Sequence, residues 1–219
     1  MAVPSEKHIF GSDVLRYIGM VTRELYMREY EGRPAQVISA TCRYDTTIDD
    51  VWDAISNPER LPRWFLPVSG DLRLGGRYQL EGNASGRITA CEPPRKLDLT
   101  WEFGGEVSWV EVRLSELADG TSLRLEHIAH TPEEFWNQYG PGAVGVGWDL
   151  GMLALARHLE TGATLDLKEG EQWPTTQEGK DFVSRCSDEW CRASIAAGTP
   201  ENAAREAAGR TTAFYTGQG

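Results

Sequence analysis

The segments Trp64-Phe65-Leu66-Pro67 and Gly70-Asp71-Leu72-Arg73-Leu74-Gly75-Gly76-Arg77-Tyr78 decide how this chain is read. They give an aromatic apolar knot, a turn and the start of a strand, and they open a run of strands rich in Trp, Phe and Tyr. Leu97, Leu99, Trp101 and Phe103 alternate with Asp98, Thr100 and Glu102, the period-two pattern of a strand with one buried face. Val110, Val112 and Leu114 keep the same register in the next strand, opposite Trp109, Glu111 and Arg113. After the Asp119-Gly120 hairpin turn, Leu123, Leu125 and His127 face one way and Arg124 and Glu126 the other. Polar side chains of catalytic type are sparse here. The pattern predicts a curved antiparallel sheet around an apolar hollow.

Outward from this centre, 20–30 and 36–44 read as two strands of a hairpin turned at 31–34, behind an arm (1–19) that is either loose or docked. Thr47-Ile48-Asp49-Asp50 starts a helix whose apolar face holds Val51, Trp52, Ala54 and Ile55. Asn57-Pro58-Glu59 predicts a second short helix ending near Pro62. On the C-terminal side, Thr131-Pro132-Glu133-Glu134 opens a short helix, Gly140-Pro141-Gly142 breaks it, and 144–159 is a long amphipathic helix offering Trp148 and Met152 for burial. Gly145, Gly147 and Gly151 each weaken that helix by about 1 kcal/mol, which implies close approach to the sheet or to a ligand. Asp149 reads as a carboxylate favoured near the helix start. A linker over 162–174 leads to helices at 178–197 and from Thr199-Pro200-Glu201 to Ala208, then a tail bearing Phe214 and Tyr215.

The chain has 219 residues, 40% of them apolar, enough for one well-buried domain with an appendage. The expected division is an arm and hairpin strand (1–35), a central domain (36–161) and a helical extension (162–219). A net charge of −11 argues against nucleic acid and against an anionic membrane surface as partners. No run of about 18 apolar residues suggests a membrane span. Glu6, Lys7, His8 and Asp13 are unlike a signal peptide, so a cytoplasmic location is expected. Cys42, Cys91, Cys186 and Cys191 lack CxxC spacing and read as free thiols. No Cys or carboxylate stands at ligand spacing around the histidines, so neither a metal site nor a cofactor is expected.

The ordered set Val51-Trp52, Asn57-Pro58-Glu59, Trp64-Phe65, Gly70-Asp71-Leu72-Arg73, Gly75-Gly76-Arg77-Tyr78, Pro93-Pro94-Arg95-Lys96-Leu97, Thr100-Trp101 and Gly147-Trp148 resembles the START-like (SRPBCC) superfamily. The closer likeness is to the branch named after the activator of the heat-shock protein 90 ATPase, and it covers roughly 36–161. The resemblance implies an α+β helix-grip fold, with a sheet of about seven antiparallel strands wrapped round the long helix and a cavity between them. It implies no shared chemistry.

On this basis the candidate cavity residues are Trp52, Trp64, Phe65 and Tyr78 before the central strands, Leu99, Trp101, Phe103, Val112 and His127 on them, and Trp148 and Met152 on the long helix. Close-paired carboxylates, a nucleophile-elbow serine and phosphate-loop glycine spacing are all lacking. The expected function is binding of a small hydrophobic molecule, with no evident catalysis. Two alternatives stand beside it. One, implied by the family resemblance, is a protein-interaction module related to activators of the heat-shock protein 90 ATPase, with a protein partner or a homodimer formed through the C-terminal helices. The other is a cyclase or hydratase in which His127, with Tyr78 or Asp149, moves a proton.

Overall fold

A computed structural model describes residues 14–218; the sequence expectations for 1–13, His8 among them, lie outside the described residues. Helix α1 (Arg16–Met20) runs straight into β1 (Val21–Tyr30). Glu31 and Gly32, both at positive φ (48° and 74°), turn it tightly into β2 (Arg33–Tyr44). That geometry matches the right-handed twist of a two-residue hairpin. After α2 (Ile48–Ser56) come β3 (Val68–Gly70), β4 (Arg77–Leu80), β5 (Ser85–Glu92), β6 (Lys96–Phe103), β7 (Glu106–Leu117) and β8 (Gly120–Ala129). The eight strands form one antiparallel sheet in the order β1-β2-β8-β7-β6-β5-β4-β3. With the helices laid in its hollow, this is an α+β helix-grip fold with one strand more than expected.

The helix expected from Asn57 forms only its first turn. Asn57 Oδ1 accepts from the Glu59 amide at 2.9 Å, and the Leu61 amide reaches Asn57 O at 2.9 Å. Pro62 follows with no N–H to continue the ladder, so the chain tightens into a 3₁₀ turn at Leu61–Arg63.

Helix α3 (Glu133–Tyr139) precedes the long α4 (Gly142–Thr161), which begins two residues before the apolar run predicted for it. Asp149 is therefore not near the start of α4 but in its interior, and it is buried. Within 162–174 the chain forms α5 (Leu167–Gln172), capped by Asp166, and the following 3₁₀ turn is Trp173–Thr175. Helix α6 spans Gln177–Ala196. Helix α7 runs Glu201–Thr216, eight residues beyond the expected end, carrying the supposed tail through Gly209. Tertiary bonds hold the extra turns: Thr211 Oγ1 donates to Tyr139 O at 3.1 Å, and Tyr215 OH donates to Ala143 O at 2.7 Å.

The glycines of α4 serve those C-terminal helices rather than the sheet. A Cβ on Gly145 would lie 2.2 Å from Trp190 Cε2, and one on Gly147 3.0 Å from the Tyr215 hydroxyl. Only Gly151 looks toward the hollow, with Phe65 at 3.9 Å from such a Cβ. Phe182 and Trp190 of α6 are buried within their own chain. A single apolar core takes in Ile18, Ile38, Leu125, Leu153, Phe182 and Trp190, so it runs through the N-terminal hairpin, the grip and the appendage alike. A buried ion pair joins the same three regions: Arg23 of β1 meets Asp149 of α4 at 3.0 Å, and Trp190 Nε1 donates to Asp149 at 2.9 Å. Burial raises the Asp149 pKa, and the attraction of Arg23 limits the rise. Among the described residues no helix is long and apolar enough to cross a membrane.

Candidate functional site: an apolar cavity under the long helix

Between α4 and the six strands of the sheet that run from β3 to β8 lies a cavity of about 160 Å³. Its walls follow from the strand registers. Leu97, Leu99 and Trp101 of β6 face inward beside Val110 and Val112 of β7, and Leu123 and Leu125 of β8 continue the surface. The floor of α4 adds Trp148, Gly151, Met152 and Leu155. The aromatic knot closes one side. Trp64 is pinned beneath α2 by its indole N–H, which donates to Ala54 O at 2.9 Å, and its ring meets Phe65 at 5.4 Å between centroids. Tyr78 of β4 lies on the opposite wall and donates its hydroxyl to Thr100 O at 2.7 Å.

Of the residues expected from the sequence, Trp64, Phe65, Tyr78, Leu99, Trp101, Val112, Trp148 and Met152 line this cavity. Three do not. Trp52 sits half-buried on α2, packed at the edge of the core. Phe103 is 58% exposed. It is the last residue of β6, and the Gly104-Gly105 turn follows at once, so alternation carries it past the end of the cavity. His127 is buried, but it borders a separate void of about 20 Å³ with Ile38, Phe135 and Val144.

The surroundings of His127 fix its protonation. Trp148 Nε1, a donor only, gives its hydrogen to His127 Nδ1 at 3.1 Å. The ring proton is therefore on Nε2, which lies 2.9 Å from Ser108 Oγ, and Ser108 in turn donates to Trp101 O at 3.1 Å. Burial pushes the His127 pKa down to about 4. The imidazole is a neutral strut that orients Trp148, which packs edge-on against Trp101 at 5.3 Å. The three groups considered for proton transfer do not converge: Tyr78 lines the main cavity, His127 the small void, and Asp149 joins α4 to β1 and α6. Elsewhere, the buried His158 accepts from Arg60 Nε at 3.0 Å and binds Ala163 O through Nδ1. Among the described residues no group of three or more His, Cys, Asp or Glu side chains is placed to hold a metal ion.

Several wall residues escaped the sequence reading. Leu97, Val110, Leu123 and Leu125 share the register that selected Leu99 and Val112, so alternation was a sufficient signal. Ile88 and Cys91 were hidden by a register shift in β5, which turns inward two residues an odd number apart. Val68 and Leu72 come from a three-residue strand and its loop, where no periodicity exists to read.

The model of the family described as activator of Hsp90 ATPase homolog 1-like protein matches residues 45–160, more than half of the chain. The chain belongs to this family. The matched span runs from the approach to α2 to the last turn of α4, and so encloses the cavity but not β1, β2 or the appended helices α5, α6 and α7. The crystal structure of CalU16 from Micromonospora echinospora is 34% identical, covering 82% of this family member and 99% of CalU16, with a TM-score of 0.65. DynU16, a protein in the dynemicin biosynthetic locus, is 24% identical over 58% of this chain and 48% of its own, at a TM-score of 0.52. EF2215 from Enterococcus faecalis, of unknown function, is 15% identical over 84% of this chain and 99% of its own, at 0.54. The last two share the fold. No curated protein matches the chain.

Proposed function

We propose that the protein binds a small apolar molecule in the cavity between the sheet and α4, as a carrier, a sensor or a sequestering agent. The observation that carries this reading is the unfilled apolar volume itself. Protein interiors are close-packed, and a void of this size beneath three tryptophans forgoes dispersion contacts that a ligand would restore. Removing apolar surface from water would supply roughly 25 cal/mol per Å² of binding free energy.

Filling the space from within tests the reading. The Cβ of a Gly151→Leu variant has only an ordinary contact at 3.9 Å, and the longer side chain enters the cavity. Leucine is also favoured over glycine in a helix by about 1 kcal/mol. The variant is expected to melt at or above the wild-type temperature and to lose the stabilisation that apolar ligands give the wild type in a thermal-shift panel. A panel in which no lipophile stabilises the wild-type protein would refute the binding role.

A second reading, association with a protein, draws support from Phe135 and Phe214. Both are exposed and both pack against Tyr139, where α3 meets α7. The family description likens its members to an activator of the Hsp90 ATPase. Stimulation of that ATPase by this chain, lost on Phe214→Ser, is the expected result under that reading.

A further inference from the structure

Four of the polar side-chain groups that border the cavity are committed to the protein. Ser56 Oγ donates to Trp52 O at 2.6 Å, Trp64 Nε1 to Ala54 O, Tyr78 OH to Thr100 O, and Trp148 Nε1 to His127 Nδ1. The thiol of Cys91, a weak donor, and the indole N–H of Trp101 are the other side-chain donors of the lining, and no Lys, Arg, His, Asp or Glu is among the lining residues. An acceptor on a ligand thus meets one strong side-chain donor with no hydrogen bond among the described residues, the neutral Trp101 indole, and a charge meets no counter-charge. The size is equally restrictive: a dry cavity of about 150 Å³ accepts a benzene ring, and this one measures about 160 Å³.

We propose that the cavity selects for an uncharged hydrocarbon or aryl moiety about the size of one aromatic ring and excludes carboxylates and ammonium groups. The proposal rests on the binding reading above and narrows it to a ligand class. Ordinary fatty-acid or amino-acid headgroups would have to stay outside, in solvent. Selectivity arises from the desolvation of a charge that the walls cannot repay.

Calorimetric titration of the full chain with toluene, benzoate and benzylammonium at neutral pH separates the possibilities, since the three share one ring and differ in charge. Toluene is expected to bind, each ion at least about 30-fold more weakly. Benzoate or benzylammonium binding within a smaller ratio of toluene, or more tightly, overturns the selectivity while leaving a ligand-binding cavity intact. Binding of none of the three removes the single-ring occupant; if the wider lipophile panel is then also silent, the binding role falls with it. Toluene binding that survives in a folded Gly151→Leu variant places the ligand elsewhere and overturns the proposal.

Discussion

His127 illustrates how one hydrogen bond separates a catalytic residue from a structural one. A general base needs a lone pair turned toward substrate, and the lone pair of His127 is held by the Trp148 indole. Its cost appears in acid. The folded pKa of about 4 lies below the ordinary 6.5, so between these values the unfolded chain binds the proton and the native protein does not. Stability from this residue is complete above pH 6.5 and is lost as the pH falls toward 4, a change of about 3 kcal/mol. Urea unfolding at pH 7 and pH 4.5 should show His127→Gln losing less stability than wild type across that interval; an equal loss in both would mean that His127 is not the sensitive group. Gly145 makes a second residue-scale case. With Trp190 at 2.2 Å from the position of its missing Cβ, Gly145→Ala should cost about 2 kcal/mol through overpacking, read as a lower urea midpoint with an unchanged slope.

At the scale of elements, α6 is a core helix rather than an attachment. It buries Phe182, Val183, Cys186 and Trp190 against α4 and β1, and the Trp190 indole completes the partners of the Arg23–Asp149 pair. Trp190→Ala removes a fully buried ring and one donor to a buried carboxylate. A loss of about 4 kcal/mol is expected in chemical unfolding, and a loss below 1 kcal/mol would show that α6 merely leans on the grip. The outer face of the sheet is organised differently, by charge. Arg28 bridges Glu111 and Glu126, Arg124 bridges Glu24 and Glu126, and Arg113 pairs with Asp98. Glu111 and Glu102 are thus ion-paired, Glu111 with Arg28 and Glu102 with Arg77, both at 2.6 Å. Such exposed or half-exposed pairs contribute little individually, and their alternation with the apolar face pins the register instead.

For the whole molecule, the continuous core predicts one cooperative unit. Tryptophan fluorescence, which reports on the cavity and α6, and far-UV circular dichroism, which reports on all helices and strands, should follow a single coincident denaturation curve. Two separated transitions would show that the C-terminal helices form an independent unit. Packing is incomplete at the cavity between α4 and the strands β3 to β8.

The sequence alone determined the curved sheet, the hairpin and the long helix, because alternation, turn chemistry and capping act over a few neighbouring residues and leave their mark in the order of side chains. Alternation also put Leu99, Trp101 and Val112 on the face that borders the cavity, since they hold a register that a sheet cannot change without turning every side chain over. Only the tertiary structure decided which side of α4 the glycines serve, where Phe103 ends up, and that Asp149 and His127 are bonded within the framework. Each of those outcomes depends on which distant segment arrives opposite a residue. That is fixed by packing across the whole fold, and no local pattern records it.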